Sequence, residues 1–170
     1  MRIVVDSREK APFQFLGCGA DIEVVPGSLV TADYSLAGYE TAVGVERKSI
    51  DDLVQSISTE RMRFLKELDR SRGMSFAIVC EGSWDDLVSG RYRSRMHPGA
   101  ATATIAAIMA RRSIPVHFAG SRQAAELFTA SYLRQFLRGK LHEVEAARTA
   151  LQDNMPGQRL PVFSSCQGLH

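Results

Sequence analysis

Ala42-Val43-Gly44-Val45-Glu46-Arg47-Lys48-Ser49-Ile50-Asp51-Asp52-Leu53-Val54-Gln55-Ser56-Ile57 decides the fold. An apolar run of strand length ends in a charged tripeptide, and a helix signal follows at once. Ser49 is a good N-cap, and Asp52, three positions on, completes a capping-box-like pattern. Ile50, Leu53, Val54 and Ile57 mark one apolar face at helical period. Along the strand, alternation puts Glu46 and Lys48 on one face and Arg47 on the other. An acid and an amine therefore converge on one small volume.

Upstream, Arg2-Ile3-Val4-Val5-Asp6 reads as a first strand, broken by Lys10-Ala11-Pro12. Asp21 to Val25 alternates and reads as a second strand, ended by Pro26-Gly27. Tyr34 to Ala37 and Thr41 to Glu46 form a predicted hairpin through Gly38-Tyr39-Glu40. Asp33 precedes the hairpin and Glu46 closes its return strand. Antiparallel pairing brings these two acids together across thirteen residues of sequence. Hard carboxylate oxygens beside a lysine suit Mg²⁺, with Mn²⁺ as a substitute, next to a phosphodiester.

Downstream, Ser58-Thr59 interrupts the helix, and Met62, Leu65 and Leu68 continue an apolar face to Gly73. Phe76 to Cys80 is an unbroken apolar run, as expected of a strand buried on both faces. Trp84 is expected to anchor a short helix to the core. Ser89 to Gly99 reads as a mobile loop, Ala100 to Arg112 as a small-residue helix, and Pro115 to Ala119 as a short strand. Arg122 to about Gly139 is a long helix with a stripe of Ala125, Phe128, Tyr132 and Phe136, widened by Leu133 and Leu137. His142 to Gln152 reads as one more helix, and Met155 onward as a tail. The expected division is residues 1–140 as the main domain, with 141–170 as a helix and tail packed on it. Mixed strands first, then alternating helix and strand, predict a three-layer α/β domain.

The chain has 170 residues, 45% hydrophobic and 24% charged, which is an ordinary globular balance. A net charge of +2 does not announce a nucleic-acid partner. Its distribution says more: from Ser89 to Arg122 there are six arginines and no acid. Arg91-Tyr92-Arg93-Ser94-Arg95 sets three guanidiniums around one aromatic, a pattern suited to phosphate oxygens and a stacked base. Cys18, Cys80 and Cys166 show no metal spacing, and their odd count favours a reducing compartment. His97, His117, His142 and His170 are dispersed. Neither a signal peptide nor a run of ~20 apolar residues is expected.

The same residues resemble the XPF-type structure-specific endonuclease domain. That family carries Gly-Asp, a short run, then Glu-Arg-Lys-x-x-x-Asp. Here Ala32-Asp33 precedes Glu46-Arg47-Lys48, and Asp52 lies four residues after the lysine. Val5-Asp6-Ser7-Arg8-Glu9 is a second match, and Asp52 to Ile57 running on to Arg61 is a third. Ala32 departs from the family's glycine; if that glycine has positive φ, Ala32 needs a different turn.

The resemblance implies a three-layer α/β/α restriction-endonuclease-like nuclease fold with a central mixed sheet, standing alone without a helix-hairpin-helix domain. It implies a metal-dependent DNA endonuclease for branched or flapped DNA in repair, recombination or replication. Asp6, Asp33 and Glu46, with the Arg47 backbone carbonyl, are the implied metal set, and Lys48 serves the attacking water or the phosphoryl charge. Arg8, Arg91, Tyr92, Arg93 and Arg95 are candidate DNA contacts, with Glu9, Ser49 and Asp52 in support. A homodimer, or a heterodimer with a DNA-binding partner, is implied. Localisation follows as cytoplasmic and nucleoid-associated in a prokaryote or virus, and nuclear in a eukaryote. Two other readings stand beside it: a catalytically silent DNA-binding scaffold, and a junction-resolving or restriction-type nuclease.

Overall fold

The structure is a computed structural model describing residues 1–154. Six strands make one mixed sheet: β1 (Arg2–Asp6), β2 (Glu23–Gly27), β3 (Tyr34–Leu36), β4 (Val43–Lys48), β5 (Ser75–Cys80) and β6 (Val116–Phe118). Their spatial order is β2-β1-β3-β4-β5-β6. β3 pairs antiparallel with both β1 and β4, while β1–β2, β4–β5 and β5–β6 are parallel. The second strand runs on through Pro26 to Gly27, where a break was expected. It is an edge strand, and an edge tolerates a proline because one row of its backbone groups faces away from the sheet.

α1 (Ile50–Ile57), α2 (Arg61–Arg70), α3 (Trp84–Val88) and α4 (Pro98–Arg112) cover one face of the sheet. α5 (Arg122–Asn154) covers the other. The three-layer α/β/α architecture expected from the chain is thus present. β5 shows how the layers are separated. Phe76, Ile78 and Cys80 face α1–α4, while Val79 faces α5, and all are buried. Buried on both faces, this strand reads as a continuous apolar run. Burial also pushes the Cys80 thiol up to about 12, so it behaves as a small apolar residue.

Ser49 caps α1: its hydroxyl accepts from the Asp52 N–H at 3.1 Å and donates to Asp52 Oδ2 at 2.7 Å. Asp52 therefore serves the cap. The break at Ser58–Glu60 resets the helical phase, so α2 buries Phe64 and Leu68 while Met62 is exposed. α3 is anchored by Leu87; Trp84 is half-exposed and meets Phe118 edge-on. Ala101, Ile105 and Ile108 of α4 and Ala125, Ala130 and Leu133 of α5 belong to the core. The expected break at Gly139 is absent: α5 is continuous, and residues 141–154 are exposed along their length. Cys166, His170 and the tail lie outside the described residues. Among the described residues, no helix is long and apolar enough to cross a membrane.

Ala32 occupies the left-handed region with φ of 75°. An alanine thus adopts the positive φ that was expected to call for glycine, at a cost of about 1–2 kcal/mol. It is held from both sides, by Asp33 N–H to Val45 C=O at 3.1 Å and Asp6 N–H to Asp33 C=O at 2.9 Å. The methyl group of Ala32 also meets β4: a Cβ added at Gly44 would lie 2.8 Å from it. Gly44→Ala is expected to cost about 1–3 kcal/mol by overpacking. Adding Ala32→Gly should recover part of that loss, and urea unfolding of the four forms measures the coupling. Strictly additive effects would contradict the contact.

Candidate active site

β4 determines which side chains meet. Val43 and Val45 face α5, and Gly44, Glu46 and Lys48 face α1–α4. Glu46 thereby points into a layer that is otherwise apolar and is only 4% exposed. Its Oε1 accepts from Lys48 Nζ at 2.6 Å, and Nζ lies 5.5 Å from the Phe64 ring centre. Burial, and then the nearby Asp33 charge, hold the Glu46 carboxyl well above the usual range, against the pull of Lys48. Burial works against the Lys48 cation as well, but the Glu46 carboxylate more than offsets it, and the lysine stays charged.

Asp33 reaches the same place from the turn before β3. Its Oδ2 accepts the Arg47 N–H at 2.8 Å. Burial raises its carboxyl to about 6, opposed by that hydrogen bond and reinforced by the Glu9 charge. Two carboxylates and an ammonium thus line one cleft of about 560 Å³. Glu67 of α2 lines it too, and its charge acts on both Glu46 and Lys48. The sequence carried no local signal for Glu67, because its place depends on how α2 docks.

The Arg47 side chain lies on the opposite face of β4. Its guanidinium bonds Glu9 at 3.0 Å and Glu81 at 2.9 Å. Glu81 also accepts from Arg122 at 2.7 Å, and Arg122 donates to the Ala11 and Pro12 carbonyls. Both guanidiniums lie over the Phe13 ring. This ion-paired scaffold fixes the Arg47 backbone that donates to Asp33. Glu81 and Arg122 were not singled out in the sequence. Glu81 directly follows β5 at the same sheet end as Lys48, and that position was the available signal.

Asp6 lines the same cleft and is held by its neighbours. Its carboxylate accepts from the Arg8 N–H, Nε and Nη2 and from the Leu29 N–H, all within 2.9 Å. Arg8 and these backbone bonds hold it down at about 2 despite burial. Four donors, three from Arg8 and one from the Leu29 turn, thus meet this carboxylate, which lines the same cleft as Asp33 and Glu46. Arg8 is placed at the cleft as a consequence.

The arginine stretch is fastened to its own chain rather than loose. Arg91 pairs with Asp85 and with Asp86 at 2.8 Å. Arg93 uses both its N–H and Nε on Asp51. Tyr92 packs on the α1–α4 core and its hydroxyl donates to Met96 C=O at 2.8 Å. Among the described residues Arg95 has no carboxylate partner. Arg93 and Arg95 border a second cleft, which touches the first at Asp52.

The ERCC4 domain family profile matches residues 5–132. Among solved structures, XPF from Aeropyrum pernix superposes with a TM-score of 0.63 at 25% identity, covering 94% of this chain and 76% of that one. XPF from Aeropyrum pernix in complex with DNA gives 0.64 at 25% identity, covering 81% and 66%. No curated protein sequence matches significantly. The fold is that of the XPF nuclease domain, and, with the family profile spanning most of its length, the chain belongs to the ERCC4 domain family.

Proposed function

We propose that this chain is a divalent-metal-dependent DNA endonuclease acting on branched or flapped DNA. One observation carries the reading: buried Glu46 and half-buried Asp33 line one cleft, with Lys48 as the counter-charge of Glu46. Two desolvated carboxylates with raised affinity for protons are costly to the fold and are suited to a small hard cation. Family membership and the likeness to an XPF structure bound to DNA support the same reaction class.

Among the described residues, no three acids, histidines or cysteines are grouped to enclose a metal by themselves. Mg²⁺ and Mn²⁺ are often held by one or two carboxylates plus water and substrate phosphate. Asp33 and Glu46 are the proposed ligands, and the Arg47 carbonyl is the third candidate. When bound, the ion supplies charge neutralisation on the phosphoryl oxygens. Lys48 brings an ammonium to the same point, where it orients the attacking water or stabilises developing phosphoryl charge. Arg47 holds Asp33 through its N–H, and Asp6 holds Arg8 at the cleft.

The silent-scaffold reading requires loss of the metal carboxylates, and both are present. A junction-resolving or restriction-type enzyme differs in its products. End-labelled flap, fork, four-way junction and plain duplex DNA, incubated with Mg²⁺, Mn²⁺ or EDTA, distinguish the three. Metal-dependent cuts near a branch are expected. Asp33→Ala and Glu46→Gln should each lower the rate by roughly 10²–10³-fold or more. Both variants should stay folded in EDTA, Glu46→Gln with a lower unfolding temperature than wild type because Lys48 loses its buried counter-charge. Full activity in either variant would remove it from the site.

The pH dependence follows in sign. Asp33 titrates from 3.8 in the unfolded chain to about 6 in the fold. Its contribution to metal-free stability is fully present below the lower value and is lost as pH rises through about 6. A bound cation competes with that proton and reverses the trend. Mg²⁺ should raise the unfolding temperature above about pH 7 and lose most of that effect near about pH 5, read by differential scanning fluorimetry.

A further inference from the structure

Resting on the nuclease reading, we propose that the substrate's phosphate backbone crosses the catalytic cleft between Lys10 and a stripe on α2 made by Arg63 and Arg70. The expected Arg91–Arg95 stretch is then not the main phosphate contact. Lys10, Arg63 and Arg70 all line the cleft that holds Asp33, Glu46 and Lys48. Lys10 comes from the loop after β1, and Arg63 and Arg70 come from α2. Among the described residues neither Lys10 nor Arg70 has a carboxylate partner, and the exposed Arg63 has only the partly buried Glu60 one turn away at 3.4 Å. Such a surface pair contributes little and yields readily to phosphate. Arg91 and Arg93 differ: each makes two contacts to its own acids.

Spacing adds a second constraint. Arg63 and Arg70 are seven residues apart on one helix, about 10.5 Å along its axis. That matches about three nucleotides of one strand at 3.4 Å each. Glu67 lies between them on the same stripe, next to Lys48 and Glu46 in charge. The stripe therefore grips a phosphate at each end and repels one in the middle. The backbone is held on both sides of the position that faces Lys48.

The test is fluorescence-anisotropy binding of the full chain to flap DNA in EDTA, over a salt series. The variants are a cleft triple (Lys10→Gln, Arg63→Gln, Arg70→Gln) and a loop triple (Arg91→Gln, Arg93→Gln, Arg95→Gln). Each lost phosphate contact lowers the log–log salt slope by about 0.9. The cleft triple should lose about 2 to 3 in slope and roughly 30-fold in affinity at low salt, and the loop triple less than about 1 in slope. Arg63→Lys with Arg70→Lys should keep the wild-type slope, which separates charge from folding. A wild-type slope in the cleft triple, or a larger loss in the loop triple, overturns this inference alone. Failure of the wild-type chain to bind any of the DNA forms overturns both it and the nuclease reading.

Discussion

Every second side chain of β4 must leave the same face of the sheet, and the site is built on that constraint. Residues 43 and 45 go to the α5 core, so residues 44, 46 and 48 go to the other layer. Glu46 and Lys48 are carried together into a dry environment, where each is the other's main partner. Arg47 is carried to the opposite face, where Glu9 and Glu81 lock it. A one-residue slip in register would exchange these roles and bury the arginine among the leucines and isoleucines of α1–α4.

Two neighbouring elements finish what β4 begins. The Ala32 turn, held in a left-handed conformation, delivers Asp33 to the Arg47 N–H. α1 starts immediately after the strand because Ser49 and Asp52 cap it, so no slack chain separates site from helix. The rigid parts are therefore the strand end, the turn and the cap. The cost is electrostatic: burial makes both Glu46 and Asp33 harder to ionise in the metal-free fold. Strain of this kind is common at functional sites, where a fold gives up stability to keep a reactive group desolvated.

The central elements were legible because their signals are local. Alternation in 43–48, the cap at Ser49 and the unbroken apolar run 76–80 each specify one structure over a few residues. The meeting of Asp33 with Glu46 was legible too, since a hairpin has little freedom in how its ends pair. Less legible was anything decided by docking. The phase of α2 depends on a break that exposes Met62, and the place of Glu67 follows from it. Gly139 sits within a continuous helix because its cost, about 1 kcal/mol, is small beside fifteen following helical residues. The arginine stretch looked free because its acids, Asp51, Asp85 and Asp86, lie outside it in sequence. The pairing of Asp6 with Arg8, two residues on, is invisible to a motif.

The most direct measurement is an anomalous difference map from crystals of the full chain soaked in Mn²⁺ near neutral pH. A single strong peak bound by both Asp33 and Glu46, absent in Asp33→Ala crystals, is the predicted result. A peak on Asp6 or elsewhere, or none at these carboxylates with Lys48 still seated on Glu46, would contradict a metal centre built on this strand.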